Sequence, residues 1–366
     1  MAASLYGLTK AELDTPVLCV DLDTFERNLQ FVAETVKAGG KAWRPHSKGH
    51  KTPVVAWKQI RAGAIGLTCA KVSEAEVFAN AGIRDLLIAN VIAGAPKVER
   101  LASLCCSAEP IICCDHFAQA EPIAAACRRR GVTCRVLIDI NIGMNRTGCR
   151  PGTDAVELGT AISKLQGLEL VGIMGYEGHL LRLDDPADKV KQIRSALDVL
   201  GHCRELFQRQ GLRCDIVSAG GTGSVTISAH SPSITEVQAG GGVFGDPFYR
   251  EACHVDPIAP ALTVLATVIS RPSLERAVLD AGKKTMNAEV KPLTVKGYPD
   301  AEVGWLSAEH TVLNLGPKSQ NLKIGDQVEL VIGYHDLTTV LHDQIVAFRD
   351  DRVETIWPIL GRGKLQ

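Results

Sequence analysis

From residue 42 to residue 237, short runs rich in Val, Ile and Leu alternate with longer segments whose apolar residues recur at helical spacing. Such alternation predicts βα units around a parallel sheet, whose strands are apolar throughout because both faces are covered. The predicted strands are 42–45, 65–69, 85–89, 110–114, 134–139, 169–174, 214–217 and 234–237. Helices are predicted between them, among them 73–82, with a Ser73–Glu76 capping box, and 188–211. Eight strands over roughly 200 residues are most simply closed as a (β/α)8 TIM-type barrel, with an open doubly wound sheet as the alternative. Before the barrel, PVLCVDL (16–22) reads as a strand and 23–38 as a helix. After about residue 256 the helical period stops. ALTVLATVIS, RAVLDAG, QVELVIG, LHDQIVAF and RVETIWP then read as short antiparallel strands. The predicted organisation is a 23–255 barrel and a β domain built from 1–22 plus 256–366, the N-terminal strand joining the C-terminal sheet.

Composition narrows the function classes. The chain has 366 residues, 46% of them apolar, and a net charge of −1, which gives no reason to expect a nucleic-acid partner. No apolar run approaches the roughly 20 residues that cross a bilayer, and no basic-then-apolar leader is visible at the N-terminus. Twelve cysteines occur without a C-x-x-C spacing, so they read as small apolar core residues in the reducing cytoplasm.

The chemistry gathers after the predicted strands, where barrels place their active sites. SAGGTGS (218–224) follows the seventh strand and QAGGGVFGD (238–246) the eighth. Loops in these positions frequently hold phosphate, and glycines let backbone N–H groups approach an anion. A tight turn is the plainer reading of either glycine cluster alone. Lys48 follows the first strand within RPHSKGHK (44–51), flanked by Arg44, His46 and His50. An amine crowded by cations has its pKa lowered, and the free amine is the nucleophile that forms a Schiff base. An aldehyde that carries its own phosphate is pyridoxal 5′-phosphate (PLP). Arg146 in NIGMNRTG (141–148), with Tyr176 and His179 in GYEGH (175–179), is expected at the same rim.

PHSKGHK, GMNRTG, SAGGTGS and QAGGG together resemble the fold-type III PLP enzymes, and within them the D-threonine aldolase, D-serine dehydratase and 3-hydroxy-D-aspartate aldolase branch. The resemblance implies that Lys48 is the Schiff-base lysine and that Arg146 hydrogen-bonds the phenolic oxygen of PLP. It implies that Tyr176, Gly221, Thr222, Gly240 and Gly241 contact the phosphate, with His46 beside the cofactor. It also implies a head-to-tail homodimer.

This branch is distinguished by a divalent metal held by an H-x-D or H-x-C motif shortly before L-H-D. Here the stretch is GYHDLTTVLHD (333–343), and on that alignment the family's histidine falls on Tyr334 and its carboxylate on Asp336. Three readings stay open: His335 and Asp336 hold Mn²⁺ or Mg²⁺, Asp336 binds weakly with waters, or the site is metal-free with Tyr334 or His335 as acid/base. The expected function is a PLP-dependent lyase that cleaves D-3-hydroxy amino acids by retro-aldol reaction. D-serine or 3-hydroxy-D-aspartate dehydration is the alternative, then amino-acid racemisation or epimerisation, then a non-enzymatic PLP carrier. Glu309 and His310 match a family feature or form a turn pair, and His342 and Asp343 orient a metal ligand or are structural. Asp280 reads as a turn residue, and Trp305 and Trp357 as packing.

Overall fold

The computed structural model describes residues 5–366. The chain divides into two compact units. One comprises the chain through Phe31, Gly49–Val54 and Gly241–Arg362; the other comprises Val32–Lys48, Val55–Gly240 and Gly363–Gln366.

The second unit is the barrel. Its parallel strands are β2 (Ala42–Trp43), β3 (Leu67–Cys69), β4 (Asp85–Val91), β5 (Glu109–Cys114), β6 (Cys134–Asp139), β7 (Leu168–Met174), β8 (Ile216–Ala219) and β9 (Glu236–Val237). They neighbour one another in the order β2-β9-β8-β7-β6-β5-β4-β3, and a parallel bridge between His46 and Thr68 joins the two ends of that series. Helices α2 (Pro53–Arg61), α3 (Val72–Asn80), α4 (Ala95–Leu104), α5 (Phe117–Arg130), α6 (Thr153–Ser163), α7 (Pro186–Arg209) and α8 (Val225–Ser228) fall between the strands. Leu86, Ile88, Ile112, Val136 and Ile138 are buried, and so are Leu87, Ile111, Cys113, Leu137 and Val171, which pack together as one cluster. Both faces of β4, β5 and β6 are therefore apolar, and no alternation shows in their sequences.

Polar groups inside this unit are bonded to one another. Arg44, 1% exposed, donates from Nε to Glu236 (2.9 Å) and from Nη2 to Asp85 (3.1 Å), and Arg135 also binds Asp85. Glu236 in turn accepts from Ser218 at 2.7 Å. Asp85 and Glu236 open their strands, so the network marks the amino ends. Arg44 is thus neutralised by carboxylates and does not add to a cationic cluster around Lys48, contrary to the expectation from RPHSKGHK.

The other unit is built on a mixed sheet. The strands are β1 (Val17–Asp21), β10 (Leu262–Ser273), β11 (Arg276–Leu279), β12 (Thr294–Val295), β13 (Ala301–Leu306), β14 (Thr311–Leu315), β15 (Gln327–Val331), β16 (Gln344–Arg349) and β17 (Arg352–Pro358). The main path runs β13-β14-β11-β10-β1-β16-β17. β1 is antiparallel to β10 and parallel to β16, which places the N-terminal strand in the centre of the C-terminal sheet. Asp21 then accepts the Thr24 N–H at 2.7 Å and caps α1 (Leu22–Ala38), whose Phe25 lies edge-on to Trp357 at 5.3 Å between centroids.

Some details differ from the sequence reading. Ser73 does not cap α3: it lies inside the helix, its hydroxyl bonds the Gln366 carbonyl at 2.6 Å, and Glu76 binds Arg100. The first-turn acceptor is Glu74, which takes the Ala70 N–H at 2.9 Å. Strands β12, β13 and β14 were not anticipated; in β13, Glu302, Gly304 and Trp305 leave no buried face. Trp305 is 59% exposed and packs no core. Asp280 is a strand link rather than a turn residue, accepting from Thr15 Oγ1 at 2.5 Å and from the Thr267 N–H at 2.8 Å.

Removing one partner of a buried ion pair strands the other charge, which costs about 3–5 kcal/mol. Arg44→Ala is expected to lose that amount in urea unfolding, and Arg44→Met combined with Glu236→Leu to recover part of it. An Arg44→Ala protein as stable as the parent would contradict the network.

Candidate active site

On the barrel unit, the residues singled out by the sequence follow the carboxyl ends of five strands. Lys48 lies in the turn after β2, Arg146 after β6, Tyr176 after β7, Gly221 and Thr222 after β8, and Gly240 after β9. The Lys48 N–H donates to His46 Nδ1 at 3.3 Å. In the other unit, His50 Nδ1 accepts the Thr52 N–H at 3.0 Å. An imidazole nitrogen that accepts a hydrogen bond carries no proton, so both rings are assigned as the neutral Nε2–H tautomer. With Arg44 paired, the crowding of cations read from the sequence does not arise from these three residues.

Gly240 is a glycine for a spatial reason. A Cβ there would lie 2.2 Å from the His46 carbonyl oxygen and 2.5 Å from its nitrogen, so the β9 terminus rests directly on the backbone beside Lys48. Arg146 stands with its guanidinium carbon 5.9 Å from the centre of the Tyr176 ring. The Arg146 loop is shaped by Asn141, whose Oδ1 accepts from the N–H groups of Gly143 (3.0 Å) and Asn145 (3.1 Å). Asn145 takes a left-handed φ of 54° that a short polar side chain tolerates. Asp139 accepts from Thr147 at 2.8 Å, and burial pushes its pKa up.

The glycine loop after β8 is tied internally. The Gly221 N–H donates to Ser224 Oγ at 3.1 Å, and Ser224 Oγ donates to Glu177 at 2.6 Å. Gly220 N–H also donates to Glu177, at 3.3 Å. The Gly221 N–H and the Ser224 hydroxyl, both read as donors for an anion, are therefore engaged within the loop. The buried Thr222 stands at its tip. His179, two residues beyond Glu177, has its pKa lowered by burial and is neutral at physiological pH. The barrel unit thus offers an amine, a guanidinium, a phenol, a glycine-rich loop with a threonine hydroxyl, and a neutral imidazole at one end. That donor set fits a phosphorylated aldehyde.

The other unit carries the segment around Tyr334. His335 is fully buried, and its Nδ1 meets Asp246 Oδ2 at 2.5 Å. The same carboxylate accepts the His335 N–H at 3.0 Å, and its second oxygen accepts the Tyr249 N–H at 3.1 Å. Phe244 and Tyr249 pack against the imidazole, and Gly241 abuts it and Tyr249. His335 Nε2 stands 3.2 Å from Asp336 Oδ1. The Tyr334 hydroxyl donates to the other oxygen, Oδ2, at 2.8 Å.

Two ligands bound at about 2.0–2.2 Å to one ion in neighbouring coordination positions lie about 3 Å apart, so His335 Nε2 and Asp336 Oδ1 fit a divalent cation. Asp246 on the far nitrogen is the outer carboxylate that metal-bound histidines commonly have. Tyr334, turned to the opposite oxygen, holds Asp336 in place. Among the described residues no set of three or more His, Cys, Asp or Glu side chains could hold a metal, so a bound ion would complete its shell with water or substrate. Gly49, which belongs to this unit, has to be small: a Cβ there would fall 2.4 Å from His335 Nε2 and 2.6 Å from Asp336 Oδ1.

Other residues separate cleanly. His342 Nε2 bonds the Thr285 carbonyl at 2.7 Å and Asp343 pairs with Arg362, so neither orients Asp336. Glu309 makes an exposed ion pair with Lys284. All twelve cysteines are free, and of them only Cys106 is exposed. The sequence reading missed Asp246 as well as Glu74 and Glu177. The one signal for them was a carboxylate set within an otherwise glycine-rich or apolar motif.

A family model for the alanine racemase N-terminal domain matches residues 20–247, and one for a putative serine dehydratase domain matches 261–348. A D-threonine aldolase of Arthrobacter sp. is 34% identical over 96% of this chain and 94% of its own length. A 3-hydroxy-D-aspartate aldolase of Paracoccus denitrificans (strain Pd 1222) is 32% identical over 99% and 95%. The crystal structure of D-threonine aldolase from Filomicrobium marinum superposes with a TM-score of 0.96 at 35% identity, covering 100% of both chains. The motifs, the barrel with its β sheet and these likenesses agree, and the chain belongs to the fold-type III PLP-dependent enzymes, in the group of D-threonine aldolase and 3-hydroxy-D-aspartate aldolase.

Proposed function

We propose that this protein is a lyase that cleaves D-configured 3-hydroxy amino acids between Cα and Cβ, releasing glycine and an aldehyde. The observation that carries the reading is the likeness over 96% of the chain to a D-threonine aldolase. PLP, when bound, supplies an electron sink for the pair left on Cα. Lys48 would hold its aldehyde, Arg146 and Tyr176 would supply donors to its phenolic oxygen, His46 would stand with them, and Thr222, Gly221 and Gly240 would hold its phosphate. The glycine loop serves chiefly through its shape, since the Gly221 N–H is spent on Ser224.

Cleavage also requires the β-hydroxyl to lose its proton. His179 is neutral and able to accept it. His335 and Asp336 would hold a divalent ion, Mn²⁺ or Mg²⁺, which lowers the pKa of a hydroxyl near it. Tyr334 acts by holding Asp336, and Gly241 by leaving room for the His335 ring. The free cysteines suit a reducing cytoplasm. Among the described residues no helix is long and apolar enough to cross a membrane. We also infer a homodimer, as in the family's resemblance, with the exposed Trp305 indole as an apolar surface for contact.

Incubation with D-threonine is expected to give glycine and acetaldehyde, and Lys48→Ala to abolish both turnover and the borohydride-fixed pyridoxyl label on the 48-containing peptide. Pyruvate and ammonia from D-serine would favour dehydration instead, and L-alanine from D-alanine would favour racemisation. Titration with Mn²⁺ followed by electron paramagnetic resonance should show one site. Its affinity should be lost in His335→Ala and fall roughly ten- to a hundredfold in Asp246→Asn, whose amide orients the imidazole poorly. Unchanged Mn²⁺ binding in both variants would remove this site. Sedimentation equilibrium should return twice the 39.2 kDa chain mass; a monomer would refute the dimer.

A further inference from the structure

We propose that two fully buried glutamates, Glu74 and Glu177, are positioning residues: Glu74 sets the turn that carries Lys48, and Glu177 sets the glycine loop after β8. The inference rests on the assignment of Lys48 and of that loop to the cofactor, made above. Both carboxyl groups are 0% exposed. Each accepts from one serine hydroxyl and one backbone N–H; for Glu74 the serine lies in the lysine turn and the N–H in the segment leading into α3. Glu74 meets Ser47 Oγ at 2.6 Å through Oε1 and the Ala70 N–H at 2.9 Å through Oε2. Glu177 meets Ser224 Oγ at 2.6 Å through Oε1 and the Gly220 N–H at 3.3 Å through Oε2.

Burying a carboxyl group is costly, and such groups persist where their hydrogen bonds are complete. Glu74 stands on a helix, and Glu177 leads into a 3₁₀ turn, Gly178–Leu180. Glu74 is in the first turn of α3, and Glu177 follows β7 by three residues. The segments they grip have little regular structure of their own. Ser47 and Lys48 belong to a three-residue 3₁₀ turn (Ser47–Gly49), and Thr222–Ser224 is another. Ser47 precedes Lys48 directly, so the clasp on Ser47, shared with the Thr68 carbonyl at 2.9 Å, fixes the backbone from which the lysine side chain leaves. Ser224 is bonded at the same time to Gly221 N–H and to Glu177, so the cup closes only when the glutamate holds it.

The two residues therefore act on different steps, and a general loss of stability would not separate them. Glu177→Ala and the milder Ser224→Ala should weaken binding of 4′-deoxypyridoxine 5′-phosphate, a cofactor analogue with phosphate and no aldehyde, by about ten- to a hundredfold. Glu74→Ala and Ser47→Ala should bind that analogue within about twofold of the parent. They should nevertheless form the borohydride-reducible bond to PLP about tenfold or more slowly, with kcat reduced and KM for D-threonine little changed. Ser47→Thr and Ser224→Thr, which keep the hydroxyl, should restore most of each property. Circular dichroism and thermal unfolding identify any variant that has lost its fold, and the serine variants then decide. Parent-like analogue affinity in Ser224→Ala overturns the Glu177 half, and parent-like bond formation in Ser47→Ala overturns the Glu74 half. If Lys48→Ala still yields a reducible bond, the assignment of Lys48 fails and the Glu74 half with it, whereas analogue binding judges Glu177 independently.

Discussion

The mouth of the barrel depends on how one of its two shortest strands is held. β2 has two residues, Ala42 and Trp43, paired with Glu236 and Val237 of β9. A ladder that short cannot fix a strand against its neighbours, and side chains do the rest. The Trp43 indole donates to the Ala239 carbonyl at 2.7 Å, Thr68 Oγ1 donates to the Arg44 carbonyl at 2.8 Å, and Arg44 reaches both Glu236 and Asp85. The His46–Thr68 bridge then joins β2 to β3. Lys48 comes two residues after that bridge, and its amine can only be as well placed as the strand before it. The arginine that looked from the sequence like part of the catalytic cluster works instead from below, as part of this closure.

That displacement of Arg44 shows where sequence reasoning stops. The period of the βα units, the glycine loops after β8 and β9 and the lysine after β2 were legible, because each follows from spacing along one chain. The direction of a side chain on a two-residue strand was not. Arg44 and His46 both follow β2 within four residues, but one pairs with carboxylates at the amino ends and the other takes a backbone N–H. Likewise the charge state of His46 and His50 lies in a hydrogen bond to a residue two places on, which no count of basic residues reveals. Glu74 and Glu177 stayed hidden for a related reason. A carboxylate in a helix or strand end normally reads as solvated, and only burial identifies it as a brace.

In the β unit, the segment around Tyr334, where the resemblance led one to expect a histidine, has a geometry of its own. Tyr334 is extended (φ −150°, ψ 117°) and precedes a 3₁₀ turn, His335–Leu337. Tyr334 and Asp336 meet through the phenol and one carboxylate oxygen, while His335 is approached by Asp246 and reaches the other oxygen of Asp336. A buried imidazole needs an orienting partner. Asp246 is that partner, placed by the segment that follows the glycine run 240–242. Its oxygens also take the N–H groups of His335 and Tyr249, so the carboxylate is fixed before it fixes the ring.

A site for an anionic cofactor has to be rigid without spending its cations on rigidity. Arg44 illustrates the alternative, a guanidinium fully committed to carboxylates and useful only to the framework. The lysine turn and the glycine loop are instead restrained by carboxyl groups bound to hydroxyl and amide donors, which hold the backbone without an arginine. Burial leaves the pKa of Glu177 raised, although hydrogen bonds from Ser224, its own backbone N–H and the Gly220 N–H oppose the rise. Those bonds offset part of the cost of burying the group. The loop holds the glutamate as much as the glutamate holds the loop.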